Sequence, residues 1–341
     1  MGTIRPFDIR DVSAVQRLSS LGRMLAYELV AVDGLNPLRE AMRAYISAGY
    51  DHTVALIRRD PNARERDTRD TFGLMQLIPV RKAEQETARY AALLYMSPAA
   101  QNDEVEEAWA ELAEAFVMYA TENGVQCIVA ETPESGHEAE ALHRVGFSAL
   151  MHQDIMKLAA LPQEMEAPDV IGLRAQEERD ELYVKLLSMR VVPKLVQKAE
   201  GATDLTRLTH RSDCGFILMR NQDPLAHVSF RQGRRGYGMQ VLFRQDAEDL
   251  AEPVLQYALS NLCDRTRRPV YCMIPSYQSW LLPVLDGLGF THITSNTIMV
   301  KHTTARVRQP VWSLQPNHAG TKLIKGETKL HHHQSNARHH T

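Results

Sequence analysis

The chain has 341 residues, of which 44% are hydrophobic and 24% charged, with a formal net charge of −3. That length suits two ordinary domains, and no apolar run approaches the roughly 18–20 residues needed to cross a bilayer. The charged start, MGTIRPFDIRDV, speaks against a secretory signal, and four cysteines in no metal-binding spacing predict reduced thiols in the cytoplasm.

The elements then follow in chain order. A short strand at Thr3–Pro6 precedes a helix with Val12, Val15, Leu18 and Leu21 on one face, for which Asp11 is the expected N-cap. Leu38, Met42, Tyr45 and Ile46 mark a second helix. Strands are predicted at 52–57, 72–78 and 91–96, the first two separated by a polar excursion, PNARERDTRD. The longest periodic segment runs from Asp103 to Glu122, with Val105, Trp109, Leu112, Phe116 and Tyr119 at helical spacing and Asn123-Gly124 as its stop. The apolar run at 125–130 reads as a buried parallel strand. A short helix through Leu142, the pair Gly146-Phe147 and a closing strand at 152–157 complete this half.

Residues 170–302 repeat the order. Strands are predicted at 171–174, 216–219, 226–230, 237–243, 269–274 and 297–301, with helices through Leu187, Val254 and Leu285. The stretches VQCIVAETP…LHRVGF…QDIMKL and PVYCMIPSY…LDGLGF…NTIMVK are one unit written twice, which indicates domain duplication. The expected division is 1–160, a linker at 161–169, 170–302, and a tail at 303–341. From His302 onward the chain carries net +5, which leaves −8 for the remainder. The tail reads as basic and disordered, and its three consecutive histidines, His331–His333, are a compositional hint of metal binding only. An acidic body is a poor platform for phosphate backbones, so neither nucleic acid nor membrane is an expected partner.

The repeated order, with its ALHRVGF and VLDGLGF segments, resembles the GCN5-related N-acetyltransferase (GNAT) superfamily across nearly all of 3–159 and 170–302. The resemblance implies an α/β (α+β) chain of two tandem GNAT-like domains, each a mixed, mostly antiparallel sheet flanked by helices. It implies acyl transfer from acetyl-CoA or another acyl-CoA to a small-molecule amine. In that family acyl-CoA lies where a central strand splays from its parallel neighbour, and a Q/R-x-x-G-x-G/A loop lets the backbone approach its pyrophosphate. By position in that pattern, Leu94, Met96, Gln101 and Asn102 in the first half are the cofactor-binding candidates. In the second half they are Leu242, Ala247 and Ala251.

Both halves depart from the pattern. Glu104 and Glu106 stand where the first loop needs small residues, and a carboxylate about 5 Å from a phosphate repels it by roughly 3 kcal/mol at an effective dielectric near 20. The second loop runs Asp246-Ala247-Glu248-Asp249-Leu250-Ala251. The tyrosine that many members place four residues before the Gly of Gly-Phe is Leu142 in one half and Leu285 in the other. Glu131 is a candidate general base or a solvated, helix-capping glutamate. His143 is a proton carrier or an exposed helix residue, and Tyr277 is an acid or a packing aromatic. The cluster RQGRR at 231–235 reads as a charged hairpin tip or an anion grip. Two functions stay open: an acyl-CoA-dependent N-acyltransferase, or a degenerate tandem protein that uses no cofactor and binds a small molecule or a partner.

Overall fold

A computed structural model describes residues 2–47, 53–60, 70–82, 85–134, 136–161, 167–197, 214–262 and 268–303. Cys263, most of the excursion at 61–70, and the tail with its histidines lie outside the described residues. The first half contains β1 (Thr3–Pro6), α1 (Val12–Leu18), β2 (Arg23–Met24), α2 (Tyr27–Ala31), α3 (Pro37–Ser47), β3 (Thr53–Arg59), β4 (Thr71–Lys82) and β5 (Gln85–Ser97). It continues with α4 (Asp103–Glu122), β6 (Cys127–Pro133), α5 (His137–Arg144) and β7 (Ser148–Leu158). The second half contains β8 (Leu173–Ala175), α6 (Glu181–Val191), β9 (Cys214–Arg220), β10 (Asp223–Gln232) and β11 (Tyr237–Phe243). After them come α7 (Ala251–Ser260), β12 (Val270–Pro275), α8 (Leu282–Gly287) and β13 (Thr291–His302).

The periodic segment at 103–122 is helical because Trp109, Leu112 and Phe116 recur on one face and are fully buried there. Each such burial is worth roughly 1.5–3 kcal/mol. Asn102 caps its start by accepting from Val105 N–H at 3.0 Å, and Gly124 ends it at φ +75°. The Gly-Phe pairs end α5 and α8 alike. Gly146 and Gly289 sit at φ +84° and +86°, a left-handed conformation that side chains resist, and Phe147 and Phe290 donate back to the carbonyls of Leu142 and Leu285 at 3.0 Å.

Asp11 does not cap α1 with its side chain. Its carboxylate is buried, accepts from Asp8 N–H at 3.0 Å, and takes both guanidinium nitrogens of Arg5 at 2.7 and 2.8 Å. Asp180 repeats this in the second half, bonded by Arg174 at 2.6 and 2.7 Å and by Glu177 N–H at 2.8 Å. The two sites are the same device in the two copies.

The described strands form one sheet in the order β1-β3-β4-β5-β6-β13-β7-β12-β11-β10-β9-β8. Each closing strand pairs with the other half. β13 lies antiparallel to β6 from Asn296 opposite Pro133 to His302 opposite Cys127. β7 lies antiparallel to β12 from Val270 opposite Leu158 to Pro275 opposite Gln153. The halves meet a second time at Arg231, which is buried on β10. Its guanidinium bonds both oxygens of Asp33 at 2.8 and 2.9 Å and reaches Glu28 at 3.2 and 3.3 Å. Arg231 is therefore no part of an exposed hairpin tip, whereas Arg234 and Arg235 are exposed.

Candidate functional site

In the first half β5 and β6 run parallel only where Tyr90–Ala92 face Cys127–Val129. Beyond that point they separate, and residues 23–27 fill the gap. β2 pairs with β5 at Tyr95 and Met96. Leu25 N–H donates to Leu94 O at 2.9 Å, and Glu131 N–H on β6 donates to Leu25 O at 2.9 Å. Tyr27 N–H then donates to Glu131 Oε2 at 3.0 Å. The backbone that an extended ligand would use at Leu94 and Met96 is thus paired with the chain itself, and both side chains are buried.

Glu131 is neither solvated nor exposed. Burial pushes its carboxyl up to about 7, against the opposing effect of hydrogen bonds from Tyr27 and Asn296. It does serve a helix start, since Tyr27 opens α2 and the carboxylate satisfies one of its otherwise orphaned N–H groups. His143 is exposed on α5 with Nδ1 2.9 Å from the Phe147 carbonyl. Glu131 and Tyr277 belong to different halves, with β13 and β7 standing between β6 and β12.

The first turn of α4 differs from the electrostatic picture drawn from sequence. Gln101, Asn102 and Glu104 are exposed, and Asn102 Oδ1 occupies the Val105 amide. Glu106 turns away from the loop and is buried against α5, with Arg144 at 2.7 Å and His137 at 2.9 Å. Its carboxylate therefore does not crowd the space over the turn. The Glu106 hydrogen bond raises the His137 pKa. Asp103, Glu106 and His137 each bring a possible metal-ligand atom within 4.8 Å of the others, but Arg144 already holds Glu106 as an ion pair.

The second half keeps its opening. β11 and β12 are parallel where Tyr237–Met239 face Val270–Cys272 and then diverge. No strand is inserted there among the described residues. Gln278, buried on the turn after β12, donates from Nε2 to Phe243 O at 2.9 Å, while its Oε1 has no hydrogen-bond partner among the described residues. A cavity of about 730 Å³ lies alongside, bordered by Phe243, Arg244, Gln245, Tyr277 and Trp280 from this half-site and by Arg190 and Val191 at the end of α6. Leu242 is buried with Leu187, Val192 and Val196, and Tyr277 packs against that cluster. Ala247 and Ala251 face the core beneath the turn.

The charges at this cavity compensate one another. Asp223 pairs with Arg190 and Arg244, which together lower its pKa, and Arg244 also grips Asp246 at 2.5 and 2.9 Å. Sequence reasoning missed Arg190, Asp223, Arg244 and Gln278. The signal for Arg244-Gln245 was present, since the pair directly follows an apolar strand and opens the loop before α7.

No family model matches the chain, and no curated protein does either. Solved structures do. A GCN5-related N-acetyltransferase from Sphaerobacter thermophilus superposes with a TM-score of 0.52 at 12% identity, over 88% of this chain and 95% of that one. A tandem GNAT protein from the clavulanic acid biosynthesis pathway superposes with a TM-score of 0.50 at 13% identity, over 89% of this chain and 98% of that one. At such identities the likeness is one of fold. No helix among the described residues is long and apolar enough to cross a membrane. The chain carries the fold of the GCN5-related N-acetyltransferases, in tandem.

Proposed function

We propose that the chain is a cytoplasmic acyl-CoA-dependent N-acyltransferase with one acyl-CoA site, in its second half, and a small-molecule amine as acceptor. The observation that carries this is the contrast between the openings: residues 23–27 bridge β5 and β6, whereas the gap between β11 and β12 adjoins a cavity of about 730 Å³. That cavity lies within the usual range for small-molecule sites. The cavity's guanidinium lining, Arg190 and Arg244, suits a ligand that carries phosphates.

An acyl-CoA contributes the activated thioester. In this reading Trp280 and Phe243 wall the site against water. The amine nitrogen forms the C–N bond as the C–S bond breaks, Tyr277 Oη gives its proton to the departing thiolate, and the proton shed by the nitrogen returns to Tyr277 Oη. Calorimetric titration of the full chain with acetyl-CoA tests the assignment. One site per chain, weakened by Trp280→Ala, is expected, and two sites or none would overturn it.

A second reading is favoured by the compensated charges at Asp223 and Asp246, which leave no spare cation for a pyrophosphate. Under it the cavity binds a small molecule without turnover. Release of free thiol from acetyl-CoA in the presence of an amine panel separates the two.

A further inference from the structure

A second cavity, of about 600 Å³, opens where the turn between β10 and β11 meets the start of α3, with Arg39, Arg234 and Arg235 on its walls beside Asp33, Leu38 and Met42. Arg234 and Arg235 are exposed and have no acidic partner among the described residues. The acids nearby are already engaged. Asp33 is held by Arg231 through both oxygens, and Glu40 by Arg39 and Arg43.

The turn is also fixed in place. Arg235 N–H donates to Val32 O at 2.8 Å, and Arg268 donates to Gly233 O at 3.2 Å. Gly34, at φ +66°, leaves room for the Arg235 side chain, since a Cβ there would come within 2.6 Å of Arg235 Nε. Both guanidinium groups line this one cavity, and their planar forks match phosphate oxygens. The first turn of α3 borders the same cavity through Leu38 and Arg39.

We propose that this cleft binds a small phosphate-bearing molecule, gripped by Arg234 and Arg235 of the second half and by Arg39 of the first. Its lining shares no residue with the cavity at Tyr277, and the two lie at opposite ends of β11, about 20 Å apart at strand rise. The ligand bridges the halves and adds to the contact already made by Arg231.

Calorimetric titration of the full chain in about 50 mM salt, where surface charges are weakly screened, tests the site with orthophosphate, pyrophosphate and ADP. Saturable binding of pyrophosphate or ADP is expected, and it should fall about a hundredfold in R234A/R235A, or tenfold for each guanidinium lost. Tighter binding of ADP than of pyrophosphate identifies an organic phosphate that also uses Leu38 and Met42, and the reverse order identifies a free polyphosphate. R39A, a milder change, should weaken binding in the same direction. The proposal is overturned if wild type gives no binding with any of the three at millimolar concentration. It is equally overturned if R234A/R235A binds like wild type, or if R234A/R235A loses acetyl-CoA affinity to the same degree, because the anion would then belong to the other site.

Discussion

Tyr27 N–H lies 3.0 Å from Glu131 Oε2, so the first turn of α2 is held by a carboxyl at the end of β6 whose pKa is about 7. A carboxylic acid whose pKa rises on folding binds its proton more tightly folded than unfolded. Its effect is therefore to reduce stability as pH climbs from 4.5 toward about 7, and the full penalty persists above that. The span corresponds to about 3 kcal/mol. Glu131→Gln keeps an acceptor for Tyr27 and removes the titration. Urea unfolding should show the variant gaining up to about 3 kcal/mol over wild type at pH 8 and nothing at pH 4. A difference that does not change with pH would contradict the assignment.

Arg231 pairs with both Glu28 and Asp33 in a buried contact between the halves. Arg231→Met removes the cation that Glu28 and Asp33 share, a type of change that costs about 3–5 kcal/mol. Adding Glu28→Gln should return part of that loss, since one of the two carboxylates that faced Arg231 is then neutral. A double-mutant cycle followed by urea unfolding measures the coupling.

Glu104→Gly with Glu106→Gly restores the small residues of the family loop. It should nevertheless give no gain in acetyl-CoA binding, because β2 remains in the opening between β5 and β6. Each glycine in a helix costs about 1 kcal/mol, and Arg144 and His137 also lose their buried partner. Thermal shift in the presence and absence of acetyl-CoA reads both effects.

Asp180 is held well below the ordinary carboxylate range, at about 2, first by its hydrogen bonds from Arg174. The stability it contributes is present above pH 3.8 and is lost as pH falls toward 2. Asp180→Asn and Asp11→Asn should each cost roughly 1–3 kcal/mol at pH 7, with the losses additive because the sites belong to separate copies. Chemical denaturation of the two single variants and the double variant checks this.

The strands and the long helix were legible because their apolar residues recur at periods of two or near 3.6, a local property. The helix at Asp103–Glu122 and the strand at Tyr237–Phe243 came out with the boundaries read from sequence. The wedge at 23–27 did not, because it has no periodicity and its partners Leu94 and Glu131 lie far along the chain. Burial of Arg231 was hidden for the same reason: the acids that draw it inward come from the other half. The paired Arg5–Asp11 and Arg174–Asp180 sites were available in principle. An arginine followed six residues later by aspartate occurs at the same place in each copy, and an alignment of the copies on that spacing would have exposed it. Which copy each closing strand joins was not legible, since β7 and β13 offer similar patterns to β6 and β12.

The crossing of β7 and β13 makes the two copies mutually dependent for completion. If the chain is cut within 161–169 and only the first piece is made, β6 loses the strand beside it along the whole register from Cys127 to Pro133 and presents bare amides and carbonyls to any passing chain. The second piece loses its neighbour along β12 in the same way. The pieces should aggregate when expressed singly and form a soluble pair when expressed together, so the linker sets local concentration rather than joining two independent folds. A duplication wired in this fashion cannot shed the copy whose cleft is closed, and that gives the first half a reason to persist whether or not it ever meets a cofactor.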